Sequence, residues 1–340
     1  MRFNKTLIAT AAVAAAGVAA AAWTPAQAFE AGSAGFAQQP GVTLGGVSAE
    51  GPPPGLYMVD QAYTFQGNLA GPGADAINPH GTKTGVGAAV ATTAFVWAPG
   101  WSFLGASYNS TLALIGAFDA VGSPVNLEAG GLSNTYIAPV ELSWKLGDSG
   151  FWVKSGLGIY TPTGTVNGVN GHGNVGNAWW TFVPEFVVSY LKDGWNFTAN
   201  IYEEFNTAST VTHYQSGDIL HAEFTATKTI GKWTLGPVAY YVGQVSDDKS
   251  SAFYHGLINV NRYNKWAVGG SLAYNFGPAQ LTVWALDEVS ADVSGGSPQF
   301  PPGPIITKGF TAFAQLSYRL WAPEAPVAAP KAPMYRKAGG

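Results

Sequence analysis

Beyond residue 50, apolar and polar side chains alternate with a period of two along most of the chain, which is the pattern of half-buried strands. In Tyr136 to Leu146, the side chains of Tyr136, Ala138, Val140, Leu142, Trp144 and Leu146 point one way. Ile137, Pro139, Glu141, Ser143 and Lys145 point the other. Trp180 to Tyr190 sets Trp180, Phe182, Phe186, Val188 and Tyr190 against Thr181, Glu185 and Ser189. Trp195 to Ile201, Leu220 to Ala226 and Phe310 to Leu320 repeat the scheme. Helical periodicity is absent, because Gly, Pro, Thr and Asn interrupt every helical window.

Strands are expected at 55–66, 84–97, 101–115, 134–147, 150–161, 178–191, 194–206, 218–230, 232–245, 263–277, 279–289 and 308–320, twelve in all. Many run to 11–14 residues, whereas soluble strands cluster near ~5–6 and a tilted membrane-crossing strand needs ~9–11. Short links (Pro99-Gly100, 147–150, Asp193-Gly194, Gly231-Lys232, Gly277-Pro278) alternate with long ones rich in Gly, Asn and Asp (67–83, 116–133, 162–177, 207–217, 246–262, 290–307). That rhythm predicts an all-β fold, a transmembrane up-and-down antiparallel β-barrel of about twelve strands with short periplasmic turns and longer outer loops. Trp97, Trp101, Trp144, Trp152, Trp179, Trp180, Trp195, Trp233 and Trp266 fall near expected strand ends, where such barrels carry aromatic girdles. A soluble β-sandwich is the competing architecture, but it calls for shorter strands and charged outer faces.

Composition agrees. Charged residues make up 11% of the chain, under half of the ~25% usual in soluble domains, while the hydrophobic fraction is an ordinary 47%. A wall that gives alternate residues to lipid avoids charge without becoming apolar throughout. A net charge of −4 with 16 Lys and Arg argues against nucleic-acid binding. No Cys is present, so a disulfide framework and thiolate metal sites are excluded, and no cofactor or metal is expected.

The ends read differently from the middle. Arg2, Lys5, the apolar run Leu7 to Ala22 and the Ala26-Gln27-Ala28 pattern form an expected signal peptide over 1–28. At about 16 residues, the apolar run is shorter than the ~20 of a spanning helix. Residues 29–54, rich in Gly and Ala and ending in Pro52-Pro53-Pro54, are either a flexible periplasmic segment or a plug folded into the lumen. The barrel is expected over 55–321, and 322–340 is an Ala/Pro-rich periplasmic tail. Export of such a chain places it in the outer membrane of a Gram-negative bacterium, in contact with outer-membrane lipid.

Ionisable groups inside a membrane wall must face water or each other. The expected lumen set is Asp60, Glu141, Lys145, Lys154, Glu185, Glu204, His221, Glu223 and Arg319. Paired in this way, they brace the wall; left hydrated, they line a path. Glu185, Glu204, His221 and Glu223 fall on three consecutive strands and are expected to form one polar cluster. An enzymatic role lacks support. His80, His172, His213 and His255 lie in or beside loops, no G-x-S-x-G occurs, and no nucleophile accompanies His221.

Several short motifs share an order and spacing. They include Pro52-Pro53-Pro54-Gly55-Leu56-Tyr57, Gly131-Leu132-Ser133-Asn134, Tyr160-Thr161-Pro162-Thr163-Gly164 and Asn174 to Glu185 with its Trp179-Trp180. Tyr202-Glu203-Glu204-Phe205-Asn206-Thr207, Tyr214-Gln215-Ser216-Gly217-Asp218 and Gly236-Pro237-Val238 follow. Together they resemble the MetA-pathway of phenol degradation (SphA-like) outer-membrane transporter family over about 50–320. The tail after Trp321 departs from the usual barrel end. The resemblance implies passive uptake of small hydrophobic or aromatic solutes through a narrow lumen, in an oligomeric state left open. A structural or adhesive barrel acting through its outer loops is the alternative, and a lipid-modifying barrel enzyme is a third.

Overall fold

The computed structural model describes residues 30, 34–78, 80–166, 174–258, 260–296 and 303–323. The expected leader over 1–28, His172 and most of the C-terminal tail lie outside them. In chain order the strands are β1 (Gly55–Ala70), β2 (Gly85–Ala98), β3 (Ser102–Phe103), β4 (Ala106–Val121), β5 (Leu127–Leu132), β6 (Tyr136–Lys145) and β7 (Phe151–Tyr160). They continue with β8 (Thr181–Lys192), β9 (Trp195–Asn206), β10 (Ile219–Ile230), β11 (Trp233–Gln244), β12 (Arg262–Asn275), β13 (Ala279–Ser294) and β14 (Ile306–Trp321). All but β3 and β5 form a closed antiparallel barrel of twelve strands in which β1 pairs with both β2 and β14. β3 and β5 are short additions to the two ends of β4. One short helix, α1 (Pro72–Ile77), lies in the β1–β2 link. Among the described residues no helix is long and apolar enough to cross a membrane.

Closure follows from backbone chemistry. In hydrocarbon every N–H and C=O must be satisfied within the protein, which strands achieve only without a free edge. Leu56 faces Trp321 across the β1–β14 seam, so β1 begins and β14 ends at the short-turn rim. The pleat then sorts the side chains. Leu112, Phe182, Phe186, Ile201, Phe224, Val268 and Leu272 point outward and are exposed as apolar surface. Thr181, Asn200, Tyr202, Glu204, His221, Tyr240 and Trp284 point inward and are buried.

Aromatic contacts ring the short-turn rim. Trp97 meets Trp101 at 5.2 Å, Trp101 stacks on Tyr108 at 5.6 Å, and Trp233 packs on Tyr274 at 4.6 Å. Two of the tryptophans expected in the girdles turn inward instead. Trp179 is buried and donates from Nε1 to Asn206 Oδ1 at 3.3 Å. Trp152 shares the inward face with Lys154, and Lys145 Nζ lies 5.8 Å from its ring.

Two departures from the sequence reading have physical causes. The strand expected at 101–115 runs instead over 106–121, because Gly116 and Asp119 resemble loop residues yet continue the ladder to Val121, opposite Val86. The alternation expected to run unbroken from Tyr136 to Leu146 also fails. The ladder shifts between Ile137 and Val140, at Pro139, which has no N–H to contribute. Ala138 is therefore buried on the inner face together with Glu141 and Ser143, where unbroken alternation would have put it outside.

Phe186, midway along β8, is 49% exposed on the outer face. Phe186→Arg is expected to lower folding stability in lipid vesicles by about 2–4 kcal/mol, measured by urea-dependent equilibrium folding. Trp195→Arg at the rim is expected to cost less.

Candidate functional site

The barrel interior is occupied. Residues 34–50 form turns and bends with no strand partner, so their backbone amides need acceptors from the wall. Two glutamates provide them. Glu204 on β9 accepts from Ala37 N at 2.7 Å and Gln38 N at 2.9 Å. Glu223 on β10 accepts from Gly41 N at 2.6 Å, Thr43 N at 3.1 Å and Thr43 Oγ1 at 2.6 Å. Wall donors hold the segment's carbonyls in turn. Tyr263 OH donates to Gly35 O at 2.6 Å, Trp284 Nε1 to Gly41 O at 2.9 Å, and Gln61 Nε2 to Val42 O at 3.1 Å.

The segment runs the length of the lumen. Ala34 N donates to Ile305 O at 2.8 Å, beside the start of β14 at the long-loop end, and Ala49 N donates to Ser189 Oγ at 2.8 Å, near the short-turn end of β8. Small residues make the fit. Gly41 has φ +88° and lies against Tyr240, and a Cβ on Gly45 would overlap the Trp284 ring. Trp284 in turn stacks on Phe313 at 4.7 Å. Glu30, near the start of the segment, reaches the outer loops. Its carboxylate accepts from Thr212 Oγ1 at 2.8 Å and from Tyr254 OH at 2.7 Å. Burial holds the Glu30 carboxyl above its usual range, against those donors.

The sequence-derived residues divide into three groups. Glu185, Glu204, His221 and Glu223 share one wall. His221 Nε2 contacts Glu204 Oε1 at 2.8 Å, and the imidazole stacks on Tyr202 at 4.4 Å. Tyr202 OH donates to Glu223 Oε1 at 2.6 Å, and Asn200 Nδ2 donates to Glu185 Oε1 at 2.8 Å. Glu141 stands apart on β6, accepting from Asn109 Nδ2 at 2.6 Å and Thr111 Oγ1 at 2.7 Å, with Lys154 Nζ at 3.4 Å.

Asp60 and Arg319 do not join the cluster. Gln61, Tyr63 and Phe65 face inward, so the pleat turns Asp60 to the outer face, where it accepts from Thr93 Oγ1 at 2.8 Å. Arg319 lies exposed beside Gly55 at the short-turn rim. The proline triad is at that rim too. Pro53 and Pro54 are exposed, and Pro53 O accepts from Tyr57 OH at 2.7 Å. The chain that fills the lumen is 34–50, ahead of the prolines.

Three interior groups escaped the sequence reading. Lys265 on β12 and Glu288 on β13 form an ion pair at 3.1 Å, 2% and 4% exposed. Alternation of Tyr263, Lys265 and Ala267 against Trp266 and Val268, and of Trp284, Leu286 and Glu288 within the strand expected at 279–289, carried that signal. Asp119 fell within the loop expected at 116–133. It is buried, and neither carboxylate oxygen has a hydrogen-bond partner among the described residues. Between the segment and the wall of β1, β2 and β4 a cavity of about 130 Å³ remains, with Phe36, Gln61, Tyr63, Phe65, Ile115 and Lys265 among its lining.

A second buried carboxyl organises the outer loops. Asp248 accepts from Tyr214 OH at 2.5 Å, Gly217 N at 2.9 Å, Gln244 Nε2 at 2.9 Å and Val260 N at 3.1 Å. Burial nevertheless pushes its carboxyl up from 3.8 to about 6.

The family model described as "Putative MetA-pathway of phenol degradation" matches residues 65–296. No curated protein matches the chain. Among solved structures, the chain is similar to the COG4313 outer membrane channel from Pseudomonas putida F1, at 10% identity and a TM-score of 0.63, over 83% of this chain and 99% of that one. It is more distantly similar to the translocator domain of the autotransporter NalP from Neisseria meningitidis (10% identity, TM-score 0.42, 78% and 88% covered). The CymD monoaromatic hydrocarbon channel stands similarly far off (9% identity, TM-score 0.39, 79% and 89% covered). The first likeness establishes the closed barrel fold; the other two add nothing to it.

Glu223→Ala removes the acceptor of two segment amides. Exchange of the Gly41 and Thr43 amides with solvent deuterium is expected to speed up by at least ~10-fold, a charge-assisted bond contributing about 1.5–3 kcal/mol, while barrel-strand amides stay protected. For Asp248 the sign follows from its raised folded value: the folded loops hold the proton more readily than the unfolded chain. Their anchoring is fullest below pH 3.8 and weakens as pH rises through about 6. Exchange at Gly217 and Val260, corrected for intrinsic rates, is expected to show this trend, and Asp248→Asn to abolish it.

Proposed function

The chain belongs to the family described as putative MetA-pathway of phenol degradation, and from that membership and the occupied lumen we propose an outer-membrane channel for passive uptake of small hydrophobic or aromatic compounds. The observation that carries the reading is the lumen itself, where a chain segment bonded to the wall leaves a cavity of about 130 Å³ beside aromatic residues. A twelve-stranded barrel lies between side-chain-filled eight-stranded barrels and open sixteen-stranded porins, so a lumen segment is what reduces it to a narrow path. Residues 34–50 act as the restriction and Glu204 and Glu223 as its holders. The outward apolar band and the aromatic rim fit a position in outer-membrane lipid.

We read the role as that of a channel rather than an enzyme. His221 spends Nε2 on Glu204 and its ring face on Tyr202, an arrangement that braces the wall around the segment. The aromatic solute class is supported by the family and by the walls of the remaining cavity.

Planar-bilayer recording tests the reading. The intact protein is expected to give small conductance steps, and deletion of residues 34–50 to give steps several-fold larger. Glu204→Gln with Glu223→Gln is expected to add flicker between the two levels. A deletion variant that folds and inserts but passes no current overturns the channel reading.

A further inference from the structure

The outer wall of the barrel is furrowed on one side. We propose that the outward face of β8 to β12 holds one anionic phospholipid of the periplasmic leaflet, with its acyl chains in a groove of the wall and its phosphate between Lys192 and Lys228. The inference goes beyond the channel reading and does not depend on it.

The groove measures about 580 Å³ and is walled by Phe151, Tyr190, Phe197, Phe224 and Val268. Its floor is made of small residues, Ala199 on β9, Ala226 on β10 and Ala239 on β11. Register produces this relief. Phe197 lies opposite Ala226, and Phe224 lies opposite both Ala199 and Ala239, so each ring has a small cross-strand neighbour and a furrow is left between the rings. Thr198 and Thr225 also border the groove. Alternation turns their side chains inward, and the Thr198 hydroxyl is bonded to Ser189 Oγ at 2.7 Å and Asn196 Oδ1 at 2.6 Å. The face that the groove presents to lipid is therefore apolar.

Charge marks the end of the groove. Lys192 pairs with Trp195 across β8 and β9, and Trp195 pairs with Lys228 across β9 and β10. These three form one outward row at the short-turn rim, two residues along their strands from Tyr190, Phe197 and Ala226 of the groove. Two strand spacings, about 10 Å, separate the lysine backbones, a span that their long side chains close around one small anion. Lys228 Nζ lies 4.7 Å from the Trp195 ring and donates to Asp193 O at 2.6 Å. An ammonium has three donors, so others remain for phosphate oxygens. Lys232 in the β10–β11 turn adds a positive charge, against Asp148 and Asp193 in the turns alongside.

The two halves of the site ask for one kind of molecule. An apolar furrow takes acyl chains, and a lysine pair beside it takes an anionic headgroup. Short turns are the periplasmic ends of such barrels, so this rim meets the phospholipid leaflet. Trp195 stands where an amphipathic ring is favoured, between the apolar and wet layers. A zwitterionic lipid with the same chains meets the same furrow but brings its own ammonium to two lysines, and like charges set face to face are costly.

Native mass spectrometry of the purified protein tests the site, with phosphatidylglycerol and phosphatidylcholine of identical chains added to the micelles. One phosphatidylglycerol is expected to be retained saturably and phosphatidylcholine at least ~10-fold more weakly, each lysine beside an anionic headgroup contributing about 5-fold. Lys192→Gln with Lys228→Gln is expected to bring phosphatidylglycerol down to the phosphatidylcholine level. Ala226→Phe fills the floor while leaving both lysines in place, and is expected to weaken retention of both lipids. Ala199→Phe repeats that test at a second position. Equal retention of the two lipids by the intact protein, or selectivity that survives loss of both lysines, overturns the site. Retention unchanged in both filled variants overturns the groove as its seat.

Discussion

Every part of this structure answers to one constraint: a backbone polar group taken away from water must find a partner. In the wall the constraint is met by ladder bonds around a ring with no edge, closed where β1 meets β14. In the lumen it is met differently. The segment over 34–50 cannot join the ladder, because the wall's own N–H and C=O groups are already spent on one another. Its amides turn to side chains instead, and a carboxylate, with two oxygens able to accept several bonds, is the most economical acceptor available. Glu204 and Glu223 therefore hold the segment in place and the segment in turn gives their buried charges partners.

That reciprocity explains why acids outnumber bases inside. A carboxylate buried without partners is costly, but one that accepts backbone amides needs no basic neighbour. The lysines serve carboxylates that take no segment amide: Lys154 serves Glu141, and Lys265 serves Glu288. The segment settles the shape of the lumen as well. With Gly45 against Trp284 and Gly41 against Tyr240, close packing along one side of the lumen leaves free volume on the other, beside Phe36 and Phe65. A wide barrel becomes a narrow, aromatic-walled path through the placement of a short stretch of small residues.

The sequence by itself determined the architecture. Period-two alternation, strand lengths near those of membrane strands, and alternating short and long links depend only on local pattern, and they were enough to predict twelve strands in a ring. On the same footing, alternation placed Glu185, Glu204, His221 and Glu223 on one inner wall, since the register of neighbouring strands is fixed by which face meets lipid. Tertiary structure alone decided what the pattern is blind to. The ladder shift at Pro139 reverses the faces of β6, and Asp60 turns outward because Gln61 is drawn in toward Val42. Asp119 becomes an interior residue because pairing carries β4 past the point where its local sequence looks like loop. Most of all, the choice between a loose N-terminal segment and one laid through the lumen rests on contacts between residues more than 160 apart, such as Ala37 with Glu204 and Gly41 with Glu223. Such contacts leave no periodic trace, because they pair an irregular backbone with single side chains.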